Sequence, residues 1–134
     1  DDIQKAFLHG HSFTGNPIGC TAAIASLDLL ERKECQTAIK NIAESHEIFA
    51  KRINSIEIIK DIRQTGTILA IELKSDSSGY TSSLRHKLQQ DFLDQGVLLR
   101  PLGNVIYIIP PYCIKEKELE KVYKVIENQL KKMR

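Results

Sequence analysis

Gly96–Ile114, GVLLRPLGNVIYIIPPYCI, is almost entirely apolar, and Arg100 is its one charged side chain before Lys115. Val97–Arg100 and Val105–Ile109 read as two short β-runs. Pro101-Leu102-Gly103-Asn104 joins them, and Pro110-Pro111 closes the second. An isolated guanidinium in such surroundings is costly to desolvate and requires an anionic partner. No acidic residue lies within the stretch, so a distant carboxylate or a ligand has to supply it. Pro101 restrains Arg100 to extended backbone, and the turn brings Tyr107 alongside. A guanidinium fork beside a phenol suits a carboxylate clamp. A structural salt bridge suits Arg100 equally well, and both readings stand at this point.

Working outward, the hydrophobic period predicts α+β architecture in the order α-α-β-β-α-β-β-α. A mainly antiparallel sheet is expected, with helices packed on one side. Asn16-Pro17 is a helix start, with Asn as N-cap and Pro in the first turn. The helix it opens, over 17–32, is apolar around nearly its whole circumference, which predicts burial at a domain or subunit boundary. A second helix over 36–54 carries Ile39, Ile42, Ala43, His46, Phe49, Ala50 and Ile53 on one face. His46 there reads as a hydrogen-bonded core residue. Strands are expected at Ile58–Arg63 and Thr67–Leu73 around a Gln64-Thr65-Gly66 turn. Ser75–Ser83 reads as a solvated loop. A third helix over 82–95 stops at Gly96. The last, over 115–132, has Leu119, Val122, Tyr123, Ile126 and Leu130 as its stripe, with its lysines on a solvated face.

Composition narrows the function classes. The 134 residues, 42% hydrophobic and 27% charged with net charge +2, fit one ordinary globular domain. They give no electrostatic case for nucleic acid or an anionic membrane. No run is long enough for a membrane span, and no secretory pattern is present. Cys20, Cys35 and Cys113 form no C-x-x-C pair and are read as reduced thiols, which points to the cytoplasm. His9 and His11 lack a third ligand nearby, so no metal site is expected. The chain opens Asp1-Asp2 and enters apolar sequence at once, as a piece of a longer protein would. The polar loop His9–Asn16 runs into a helix N-terminus, where free N–H groups favour an anion such as phosphate. An ordinary capped helix is the other reading.

Two stretches together resemble the class III pyridoxal-phosphate aminotransferases. HGHSFTGNPIGCTAA resembles the segment H-G-x-[ST]-[FY]-x-G-[NH]-P that the class shares. GVLLRPLGNVIYIIPPY resembles the branch that works in biotin synthesis; acetylornithine-specific relatives usually lack Arg at the position of Arg100. The resemblance covers the whole chain and implies the C-terminal part of a fold-type I enzyme. Residues 1–16 would end the large domain, 17–33 would form the interdomain helix, and 34–134 the small domain. It implies pyridoxal 5'-phosphate as cofactor, with Ser12 and the neighbouring His11 at its phosphate, contacted across a homodimer interface. Substrate would meet Arg100, through its carboxylate, and Gly10 and Tyr107. The implied reaction moves an amino group, with S-adenosylmethionine as the usual donor, to 8-amino-7-oxononanoate, giving 7,8-diaminononanoate. The family's Schiff-base lysine lies upstream of the loop, so no catalytic residue is expected within 1–134, and this piece alone should be inactive. Two alternatives are another class III aminotransferase, acetylornithine-like or acting on an ω-amino acid, and a non-catalytic α+β ligand-binding module.

Overall fold

The computed structural model describes residues 9–74 and 83–133. The expected loop Ser75–Ser83 and the approach segment before His9 fall largely outside them. The chain divides into two compact units, Asp1–Gln36 and Thr37–Arg134.

In the first unit, α1 spans Pro17–Leu30. Its start follows from local chemistry. Asn16 sits in extended backbone, its Oδ1 accepts from the Ile18 N–H at 3.0 Å, and its carbonyl accepts from Cys20 N–H at 2.9 Å. Pro17 follows where a missing N–H costs nothing. The cover expected at a domain or subunit boundary is not supplied by the described residues: none of the helix's residues is buried, and Ile18, Ile24, Leu27 and Leu29 are exposed. Apolar composition reports what a helix requires, and the described residues do not supply that cover.

In the second unit, α2 (Lys33–Ile53, whose first residues belong to the first unit), α3 (Ser83–Asp94) and α4 (Glu116–Lys132) accompany a three-stranded antiparallel sheet, order β1-β2-β3. The strands are β1 Ile59–Thr65, β2 Ile68–Leu73 and β3 Val105–Ile108. β1 and β2 pair from Thr65↔Ile68, so Gly66 and Thr67 form the turn, one residue later than the sequence suggested. Gly66 takes φ +54°, the left-handed conformation a tight hairpin needs at its first turn position.

Leu69, Ile71 and Leu73 alternate onto one sheet face and join Ile106 and Ile108 in the core. Phe49 and Ile53 of α2, Leu88 and Phe92 of α3, and Tyr123, Ile126 and Leu130 of α4 complete that core. The Phe49 and Tyr123 rings stack with centroids 4.3 Å apart. The Arg52 guanidinium lies 5.0 Å from the Phe49 ring centroid and pairs with both Glu120 and Glu127. Helix α3 ends as Gly96 predicted. The Gly96 N–H bonds Leu93 O and the Val97 N–H bonds Phe92 O, with Gly96 at φ +71°. Glu118 accepts from the Lys115 N–H at 2.9 Å and fixes the start of α4.

Val97–Arg100, expected as a strand, pairs with β3 only through the Leu102↔Val105 bridge beyond its end. The seven elements described thus include three strands where four were expected. The alternation is real, since Val97 and Leu99 are buried while Leu98 and Arg100 are exposed. Alternation registers extended backbone; it carries no information about a ladder partner.

His46 is a satisfied core histidine. Its Nε2 lies 3.0 Å from Thr67 O, which can only accept, so the proton sits there. Nδ1 then accepts from the Tyr123 hydroxyl at 2.7 Å. Burial holds the imidazole below its ordinary 6.5, against the raising effect of the Thr67 bond. Burial also pushes the Tyr123 phenol well up, with Glu120 adding to the shift. Because the folded value lies below the unfolded one, the unfolded chain protonates first as pH falls. The stability His46 contributes is therefore complete above pH 6.5 and declines below it, by at most about 1.4 kcal/mol per pH unit. Urea unfolding followed from pH 7.5 downward should show this slope, and His46→Gln should flatten it.

Candidate functional site

The expected site residues fall in both units. In the first, the loop before α1 folds on itself. Thr14 N–H donates to His11 O at 2.9 Å, and His11 N–H donates to Thr14 Oγ1 at 3.0 Å. His11 Nδ1 accepts from Phe13 N–H at 3.1 Å, which leaves the Nε2–H of the neutral ring directed elsewhere. Gly15 at φ +73° completes the turn into Asn16. Within this framework Thr14 is engaged, whereas Ser12 has neither its N–H nor its hydroxyl bonded among the described residues. The first turn of α1 carries no acidic side chain. A Cβ built on Gly10 meets nothing within 4 Å, so the approach to the loop is open on that side. These are the donors a phosphate ester takes: a free hydroxyl, a free N–H and an imidazole N–H ahead of a helix N-terminus. Ser12 and His11 therefore fit the phosphate of pyridoxal phosphate.

In the second unit, the hairpin holds Arg100 and Tyr107. Leu102 and Val105 exchange N–H···O bonds of 2.8 and 3.0 Å, so the turn is Gly103–Asn104 alone. Gly103 takes φ +62° and Asn104 does not have positive φ, the pattern of a II′ hairpin turn. Asn104 reaches beyond the turn: its carbonyl accepts from Leu73 N–H at 2.9 Å, and its Nδ2 donates to Leu73 O at 2.7 Å.

Leu102↔Val105 is the one described pairing between this segment and β3, so Arg100 and Tyr107 lie on the two arms of the hairpin, each two residues out from that bridge. Across the sheet Tyr107 pairs with Ala70, and Ala70 with Arg63. One row on the face away from the core thus runs from Arg63 past small Ala70 to half-buried Tyr107, and exposed Arg100 lies in the other arm of the hairpin. The two arginines differ. Arg63 bonds Asp61 at 2.6 Å and Glu72 at 2.8 Å, while Glu72 also takes Lys60 at 2.7 Å. The hydrogen bonds from Lys60, then Arg63, hold the Glu72 carboxyl below its usual range. Arg100 has no hydrogen bond or ion pair among the described residues, and it is exposed. The sequence placed it in apolar surroundings with a salt bridge as one option. The observed guanidinium is instead solvated and uncommitted. No cluster of His, Cys, Asp or Glu able to hold a metal occurs among the described residues. No described helix is long and apolar enough to cross a membrane.

Sequence reasoning missed the Asp61–Arg63–Glu72–Lys60 cluster and the Asn104 bonds. The first had a weak signal in alternating charges on facing strands. The second had only the Gly-Asn pair, which marks a turn but not its anchor.

The pattern of the class-III aminotransferases matches residues 1–130, and the chain belongs to that family. It is 39% identical over 127 residues to an adenosylmethionine-8-amino-7-oxononanoate aminotransferase of Synechococcus elongatus, covering 95% of this chain and 30% of that protein. A Geobacter sulfurreducens protein of the same name is 36% identical over 132 residues, covering 95% and 29%. Among solved structures, the Methanocaldococcus jannaschii protein of that name superposes with TM-score 0.75 at 29% identity, over 98% of this chain and 32% of its own. Acetylornithine aminotransferase of Elizabethkingia anophelis gives TM-score 0.76 at 27% identity, over 96% and 33%. The chain thus spans about a third of the solved relatives it matches. The α+β fold with its antiparallel sheet is that of the fold-type I aminotransferases.

Since Arg100 makes no ion pair among the described residues, Arg100→Ala should change unfolding free energy by no more than about 0.5 kcal/mol. A larger loss in urea titration would expose a structural salt bridge.

Proposed function

We propose that the protein carrying this chain is an aminotransferase that delivers an amino group to 8-amino-7-oxononanoate, with S-adenosylmethionine as donor. The product is 7,8-diaminononanoate, on the route to biotin. The observation that carries the reading is the uncommitted guanidinium of Arg100, on the hairpin that also carries Tyr107, in a chain similar over 95% of its length to relatives of that name.

Each residue then has a role its chemistry supports. Arg100 takes the keto-acid carboxylate through its two parallel N–H groups. Tyr107, half-buried on the other arm of the hairpin, lines the pocket in this reading and offers a hydroxyl to the same carboxylate or to the chain behind it. Ser12 bonds the cofactor phosphate through hydroxyl and N–H, with His11 beside it, and Gly10 leaves room for substrate to approach. When bound, pyridoxal phosphate supplies the carbonyl carbon that carries the amino group between the two half-reactions. The lysine and aspartate that serve that carbon are assigned to the upstream part of the whole protein. Helix α1 is read as the element between large and small domains, which would cover its exposed apolar surface. Residues 1–16 then belong to the large domain and 34–134 to the small one. The working assembly is a cytoplasmic homodimer, with the Ser12 loop of one subunit reaching the cofactor held mainly by the other.

In the whole protein, Arg100→Ala should weaken use of the keto acid by about 2–5 kcal/mol in transition-state terms, the scale for breaking a desolvated charge pair. Cofactor conversion by the donor should change far less. Stopped-flow spectroscopy of each half-reaction separates the two; equal impairment of both would overturn the clamp. Ser12→Ala should raise the dissociation constant for pyridoxal phosphate about tenfold, the effect of one hydrogen bond to a charged group. Equilibrium dialysis reads it directly. Supplying acetylornithine or an ω-amino acid as donor tests the neighbouring specificities of the class.

A further inference from the structure

Arg100 sits in an extended segment that has no ladder of its own, so something else must fix where its guanidinium is presented. Neither its N–H nor its C=O is bonded among the described residues, and the one rung between this segment and β3 is Leu102↔Val105. Pro101 is buried and Leu99 packs into the core, which sets the line of the backbone but not its register against the sheet. That register comes from the turn. The polar tie between the turn and β2 is Asn104, which accepts from Leu73 N–H and donates through Nδ2 to Leu73 O. Leu73 is fully buried and ends β2, one position beyond the last β2–β3 pair, Glu72↔Val105. Asn104 thus adds a rung past the end of the ladder, half from its backbone and half from its side chain.

We propose that Asn104 is a positioning residue for substrate: its amide locks the Gly103–Asn104 turn to the end of β2 and so fixes where Arg100 meets the substrate carboxylate. The inference rests on the reading of Arg100 as a carboxylate clamp. It also assigns the Leu73–Asn104 pair to acceptor specificity and not to fold alone. If the turn shifts, the segment carrying Arg100 shifts with it, because Leu102↔Val105 is the one described rung that joins it to β3. The Asn104 carbonyl survives any substitution, so the side-chain bond is the part that mutation isolates.

The test uses Asn104→Ala, Asn104→Asp, Arg100→Ala and the double variant Asn104→Ala/Arg100→Ala in the whole protein. KM and kcat for 8-amino-7-oxononanoate are measured beside the donor half-reaction. Asn104→Ala should raise the acceptor KM about tenfold, less than the roughly hundredfold loss that a 1 Å misplacement costs. The donor half-reaction should change less than about twofold, a small fraction of that loss. Asn104→Asp keeps size and carbonyl but turns an acceptor toward Leu73 O, and it should match the Ala variant. Adding Asn104→Ala to Arg100→Ala should cause no further rise, since Asn104 acts through Arg100. An equal penalty in both backgrounds, equal damage to both half-reactions, or an Asp variant like the parent overturns the positioning role while leaving the clamp. Arg100→Ala without effect on the acceptor KM overturns the clamp itself, and the role of Asn104 with it.

Discussion

Strand β2 is hydrogen-bonded along both edges, and Leu69, Ile71 and Leu73 are fully buried on its core face. Every other element of the second unit takes its place from that strand. β1 reaches it through the Gly66 turn, and β3 pairs its far edge. Phe49, Phe92 and Ile126 of three helices close over the same side chains. His46 joins this arrangement from α2 by bonding Thr67 O immediately before β2 and Tyr123 on α4. A buried polar triad whose hydrogen-bonding groups have partners specifies one packing among several that greasy contacts alone would allow.

With one sheet face consumed by the core, the opposite face is left for chemistry. On it, charge is divided unequally. Glu72 draws in Lys60 and Arg63, and Asp61 reinforces the second contact. Arg100, in the other arm of the β3 hairpin, has no such neighbour among the described residues. The proposed site for a substrate carboxylate thus depends as much on neutralising one arginine as on exposing another. Ser12 and His11, with their unengaged donors, belong to the other unit.

The sequence was most legible where the cause is local. Asn16-Pro17 specifies a helix start with its own atoms, and Gly96 ends α3 because only the left-handed region brings both amides back onto Leu93 and Phe92. The α4 stripe and the placing of His46 on the buried face of α2 follow from period alone. The failures are of partners. Alternation at Val97–Arg100 gave extended backbone without saying what, if anything, it pairs with. Apolar composition gave α1 a requirement for cover without naming the cover. Asn104 contacts a residue 31 positions away, and His46 meets Tyr123 across 77, distances over which local pattern is silent. Arg100 was legible as an anion seeker, but only the tertiary structure could establish that no described carboxylate had claimed it.

The Glu72 cluster has a further bearing on selectivity. Because Glu72 and Asp61 offset Lys60 and Arg63, the described residues of β1 and β2 offer a visitor less of a basic field than their lysine and arginine content suggests, while Arg100 stays uncommitted among the described residues. Polyanions such as nucleic acids or oligophosphates gain little from one isolated charge, since their binding grows with the number of phosphates neutralised. A small molecule with one carboxylate at the end of an aliphatic chain loses nothing by that restriction. For the carboxylate clamp proposed above, the ion pairs on β1 and β2 would then act as a filter on ligand charge.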